Sequence, residues 1–153
     1  MEEEIKRPGG LTALAVINFI LAGFSVLGIA GLIFSVNMIG NMPTEGMTEA
    51  QKEKIIAFQN IDPYLFAIMI VMGAFSFLFL ILSGIGYLKQ KKILGRYMGT
   101  AYGFWGFLSV IVSILLFPKE LGGGFGISTM IGIIYPAFTL ILLNVVFAND
   151  LMD

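Results

Sequence analysis

Residues 63–88 read PYLFAIMIVMGAFSFLFLILSGIGYL, a run with no charged residue between Asp62 and Lys89. An α-helix rises 1.5 Å per residue, so about 20 consecutive apolar residues are needed to cross about 30 Å of hydrocarbon. This run exceeds that length. A core helix of a soluble domain would carry polar residues along its solvent side, and here both sides are apolar. The segment is read as a membrane-spanning helix near Tyr64–Leu88.

Three further stretches lack charge: Pro8–Thr44, Tyr97–Pro118 and Leu121–Asn149. Each is long enough to span. The spans are placed near Leu11–Val36, Ile93–Phe117 and Phe125–Ala148, which makes residues 1–153 a single transmembrane domain. The expected fold is an all-α integral membrane four-helix bundle. Composition agrees, because 58% hydrophobic against 12% charged residues, with a mean hydropathy of +0.92, leaves too little polar surface to cover a water-soluble globule. The acidic residues all lie outside the apolar blocks, as do the basic ones apart from Arg96 at a boundary.

The first apolar run follows Lys6 and Arg7 and contains Gly28-Ile-Ala30, the outline of a signal peptide with a small-residue cleavage site. The apolar stretch ahead of that site is too long for such a segment. It is read as a retained span.

Orientation follows from Lys and Arg, which resist translocation. Lys6, Arg7, Lys89, Lys91, Lys92 and Arg96 fall on one side, and only Lys52, Lys54 and Lys119 on the other. The larger group marks the cytoplasm, so both termini are expected inside. The connection from Asn37 to Asp62 is then the first outer loop, with room for structure of its own. Thr48-Glu49-Ala50-Gln51 has the form of a capping box, and Asp62-Pro63 that of a cap and first helical residue. A short amphipathic helix is expected between them, with Met47, Ala50, Ile55, Ala57, Phe58 and Ile61 on one arc and Thr48, Glu49, Lys52 and Glu53 opposite.

The chemistry this chain can offer is narrow. With neither His nor Cys, thiolate chemistry, disulfides and imidazole ligation are all excluded. Transporters of ions and proton relays usually keep an ionisable group at membrane depth. The deepest polar residues here are instead Asn18, Ser25, Ser76, Ser83, Ser109, Ser113, Ser128, Thr129, Thr139 and Asn144, and Ser or Thr in a span commonly bonds its own or a neighbouring helix. No nucleophile-and-base set, metal cluster or redox pair can be assembled from them. Catalytic, cofactor and metal sites are therefore not expected.

Glycine carries the clearest pattern. Gly95, Gly99 and Gly103 repeat at intervals of four in the third span, and Gly124, Ser128 and Gly132 repeat the interval in the fourth. Residues four apart return to nearly the same helix face, so each series predicts a shallow strip for close helix packing, either within the chain or against a partner. Pro136 removes one backbone bond and is expected to bend the fourth helix.

The stretch Ser83-Gly-Ile-Gly-Tyr-Leu-Lys-Gln-Lys-Lys-Ile-Leu-Gly-Arg96, together with Arg7-Pro-Gly-Gly-Leu-Thr-Ala-Leu-Ala15, resembles uncharacterised small bacterial four-span membrane proteins, in which a glycine-bearing helix turns at a basic corner. The resemblance implies a bacterial inner-membrane protein and no activity. Claudin-like proteins also have a large first outer loop, but theirs carries Trp and paired Cys, which this loop lacks. Small multidrug transporters need a carboxylate in the first span, and none is present.

The expected function is therefore non-catalytic: a multi-pass membrane protein that acts by helix packing, as an accessory subunit or self-associating scaffold. Its expected partners are the lipid bilayer and a homo-oligomer or larger membrane complex, with no nucleic acid. The alternative is a pore or carrier for a neutral or weakly hydrated small solute.

Overall fold

The computed structural model describes residues 9–39, 42–43, 45–117, 119, 124, 126–148 and 150–151, without the side chains of 127, 128 and 131. All regular structure among them is helical. The elements are α1 (Gly9–Ile39), α2 (Glu49–Gln59), α3 (Pro63–Leu88), α4 (Met98–Leu116) and α5 (Ile127–Ile141). A wider π turn, Ile93–Tyr97, leads into α4, and another, Leu142–Val146, continues α5.

Three of these helical stretches, Gly9–Ile39, Pro63–Leu88 and Ile93–Leu116, are long and apolar enough to cross a membrane. The last apolar segment, Gly132–Val146, is shorter, although α5 with its π turn reaches about 30 Å at 1.5 Å per residue. Large apolar side chains point outward on every long helix, with Leu27 66%, Phe104 66%, Leu115 74% and Val145 73% exposed. A soluble monomer does not present apolar surface of this extent to water. It suits a chain solvated by lipid.

Local signals account for several helix ends. Asp62 accepts a hydrogen bond from the Tyr64 N–H at 2.7 Å, and Pro63 opens α3 where its missing N–H costs nothing. At the other end of α3, Lys91 N–H donates to Gly86 O at 3.0 Å and Gln90 N–H to Tyr87 O at 3.4 Å, with Gln90 at φ +50°. This is a Schellman ending with glutamine where glycine is usual. In α2, the expected capping box is present, with Gln51 Oε1 accepting from Thr48 N–H at 3.1 Å. Ile55 is buried and Ala57, Phe58 and Ile61 are half-buried, while Ala50 is exposed beside Glu49 and Glu53.

The long helices run antiparallel to their neighbours. Phe19 of α1 lies on Gly84 of α3, and further along α1 Ile29 lies on Gly73, so the two chains advance in opposite directions. Between α4 and α5 the pairs Gly99 with Leu143, Gly103 with Leu140 and Gly106 with Pro136 keep one register over two turns. The helix continues through Pro136, whose ring fills the space that Gly106 leaves.

Burial is uneven along the bundle. At the end where α3 turns into the basic corner, Leu11, Leu14, Ala15, Tyr87, Leu143 and Leu151 form one core, with Phe19, Leu88, Leu142 and Phe147 packed on it. This is the corner end. At the opposite end, which carries α2 and is the open end, few side chains are buried and clefts flank α3.

Candidate functional site

The two ends use their polar residues differently. At the corner end, Asn18 is fully buried and joins three helices. Its Nδ2 donates to Ser83 Oγ of α3 at 2.7 Å, and its Oδ1 accepts from the Tyr135 hydroxyl of α5. Ser83 in turn donates to Phe79 O at 2.6 Å, and Thr139 donates to Tyr135 O at 2.9 Å. Tyr102 of α4 meets the Tyr135 ring edge-on, with centroids 5.9 Å apart. The Tyr87 hydroxyl borders the Asn18–Ser83 pair and has no hydrogen-bond partner among the described residues. Each amide or hydroxyl left unpaired in a dry interior costs about 1–3 kcal/mol, so Asn18, Ser83 and Tyr135 hold α1, α3 and α5 in one register.

Gly95, Gly99 and Gly103 are buried. A Cβ on Gly95 would stand 3.2 Å from the Gly86 backbone, one on Gly99 would collide with the Tyr87 hydroxyl and Leu143, and one on Gly103 would lie 2.6 Å from Leu140 Cδ2. This strip faces the chain's own α3 and α5. Gly132 faces Val110 of α4 at 3.3 Å. Gly124 lies ahead of α5 at φ +82°, a left-handed backbone that interrupts any helical face shared with Gly132. The Ser128 side chain lies outside the described residues.

Gly86 is as tight as Gly99 and less able to yield, since a Cβ there would run into the backbone of Leu94 and Gly95 rather than a side chain. Its signal in the sequence was weak, because the partner Gly95 sits across a turn rather than along one helix. Gly106 extends the Gly103 face by three residues, a spacing that also returns to the same side. Trp105 clamps α4 to α3, donating from Nε1 to Ser76 Oγ at 3.1 Å and Met72 O at 3.3 Å, with its ring 5.2 Å from that of Phe75.

Of the basic residues, Lys89 and Lys91 are exposed at the corner and Lys92 and Arg96 are half-buried. Arg96 donates from Nη1 to Ala148 O at 3.3 Å, placing a positive charge at the negative end of the last helical segment. Lys6 and Arg7 lie outside the described residues. Among the carboxylates between α1 and α3, Glu49 pairs with Lys52 at 3.0 Å and Asp62 caps α3.

At the open end, two clefts flank α3. One, ≈ 270 Å³, lies between α3, α4 and α5 and is lined by Ser76, Tyr102, Gly106, Ser109, Ser113 and Thr129 among others. The second, ≈ 420 Å³, lies between α1, α2 and α3, with Ser25, Gly28, Ser35, Phe58 and Gly73 in its wall. Ser76 borders both. No cluster of His, Cys, Asp and Glu able to hold a metal occurs among the described residues.

Against protein-family models, curated proteins and solved structures, the chain finds no match.

Proposed function

We propose that the chain is a four-span integral membrane protein of the bacterial inner membrane, with both termini in the cytoplasm, that acts non-catalytically by helix packing as an accessory subunit or self-associating scaffold. Ile93–Leu116 and the three other apolar segments supply the spans, the fourth being α5 with its π turn. The basic corner at Lys89–Arg96 supports the inward orientation.

One observation carries the packing role. The strip Gly95–Gly99–Gly103 is occupied by the chain itself, whereas a Cβ on Gly23, at the middle of α1, or on Gly28 or Gly31 beyond it would meet nothing within 4 Å among the described residues outside its own helix backbone. In lipid, small residues matter because they let backbones approach and gather dispersion contacts. Ala30 is exposed on the same half of α1. Asn18, Ser83 and Tyr135 of the corner end are meanwhile used in helix-to-helix bonds, which suits a rigid module that offers its open half to another helix.

The chain has no cysteine, so single cysteines report cleanly. With Cys placed at Gly31, bifunctional thiol crosslinking in native membranes should give a discrete adduct, a dimer or a heteromer. Cys at Leu108 serves as the comparison on α4. A purified chain that is monomeric, and gives no adduct from Gly23, Gly28 or Gly31, would rule the packing role out.

A further inference from the structure

Glycine in this bundle marks the places where helices touch. Every glycine inside α3, α4 and α5 has an atom of another helical segment within 4 Å of where its Cβ would stand. Gly23, Gly28 and Gly31 of α1 have nothing that near among the described residues outside their own helix backbone. The large residues beside them recur at intervals of seven: Ile20, Leu27 and Phe34 are 53%, 66% and 64% exposed. Gly23 and Ala30, exposed as well, stand between them, so the row advances by three, four, three and four residues. That spacing belongs to a left-handed helix pair, in which a knob from one helix enters a hole formed by four residues of the other.

We infer that this face of α1 is covered by α1 of a second copy of the chain, the two copies being related by a two-fold axis along the membrane normal. The inference names the partner for the packing role proposed above and rests on that role. Copies inserted in the same orientation bring their first helices together in parallel about such an axis. The Leu27 knob then enters a hole bounded by Gly23, Val26, Leu27 and Ala30 of the second copy. Two of those four are small, so the backbones can approach while each large residue lies between the small ones of the other helix. The exposed row of α5, formed by Met130, Ile134, Phe138, Ile141 and Val145, is bulky throughout and offers no such hole. Size agrees with a stable pair. At about 150–250 Å² for a whole aromatic side chain, the exposed parts of Phe24 and Phe34 bring roughly 200–300 Å² to the face on each copy. Ile20, Leu27 and Met38, each more than half exposed, carry it towards the ~800 Å² per partner of a standard interface.

Single cysteines in the full chain test the pair in native membranes, with two differently tagged copies expressed together. Oxidation should join Leu27→Cys and Ala30→Cys chains into covalent homodimers that carry both tags. Val26→Cys and Ile33→Cys, exposed on α1 but about 100° around it from the Leu27 row, should give at least fivefold less. Without any cysteine, Ala30→Leu fills the hole and should lower co-purification of the two tagged copies at least fivefold, while Ile33→Leu should co-purify as the parent does. Adducts of a different mass from Leu27→Cys and Ala30→Cys would keep the packing role and overturn the second copy as its partner. Equal homodimer yields from all four positions would mean chance collision and overturn the pairing through this row. No adduct from any position, with parent copies that do not co-purify, would overturn the packing role as well.

Discussion

Gly99 of α4 lies against the hydroxyl of Tyr87, so a single methyl group at position 99 would claim the space that the hydroxyl occupies. Tyr87 is fully buried, and its hydroxyl has no hydrogen-bond partner among the described residues. The contact therefore couples two tolerances: how small residue 99 must be depends on what stands at 87.

Gly99→Leu should destabilise the purified bundle by about 1–3 kcal/mol or displace α4, as overpacking does. The effect belongs to the monomer, because the strip faces the chain's own helices. Thermal unfolding in detergent measures it. Leu108→Ala, at a residue 48% exposed, should cost far less, since lipid or detergent tails fill the vacated space. A Gly99→Leu chain that melts as the parent but loses an oligomer would place the strip at a partner instead.

Tyr87→Phe removes only a hydroxyl that has no partner in hydrogen-bonding geometry among the described residues, and should change stability by no more than about 1 kcal/mol. Gly99→Ala should destabilise the parent chain, and less so when combined with Tyr87→Phe, where only the contact with Leu143 and the ring remains. A double-mutant cycle reads this as a coupling energy of about 0.5–3 kcal/mol. Additive behaviour would contradict the contact.

Asn18→Leu deletes the side chain that bridges α1, α3 and α5, and strands the Tyr135 hydroxyl. The expected loss is about 1–2 kcal/mol, within the range found for hydrogen bonds between membrane helices. Tyr135→Phe should cost less than Asn18→Leu, because Asn18 keeps its 2.7 Å bond to Ser83. Equal costs would mean that the network carries no more than the single Tyr135 bond.

Gln90 takes a left-handed backbone that suits glycine better than any residue with a Cβ. Gln90→Gly should raise stability by about 1 kcal/mol without altering the corner. A fall in melting temperature would show that the glutamine side chain contributes something its backbone position does not reveal.

For topology, a reporter fused after Asp153 should be cytoplasmic, and Cys at Thr48, which is exposed, should react with an impermeant thiol reagent from outside. Reaction from the opposite side would reverse the orientation drawn from Lys89, Lys91, Lys92 and Arg96.

Much of the fold was legible in the residues. Charge-free length predicts long apolar helices, and α1, α3 and the helix from Ile93 to Leu116 have that character. The Thr48–Gln51 box and the Asp62-Pro63 start were also readable, because a cap is satisfied within a few residues of chain. The fourth series was less so: Gly124 has the interval of a helix face, but the chain reaches helical geometry only at Ile127.

What the sequence by itself determined is what local physics decides. In lipid each segment must satisfy its own backbone hydrogen bonds, so the helices, their lengths and several of their ends follow from composition and spacing near each position. Only the tertiary structure decided that Gly99 meets Tyr87, that Gly106 receives Pro136, and that Asn18 reaches both Ser83 and Tyr135. These depend on the register between helices far apart in the chain. Lipid is as apolar as the helix faces it replaces, so hydrophobicity alone does not choose that register. The choice falls to the fit of small residues against large ones and to a few buried hydrogen bonds, none visible until the helices stand side by side.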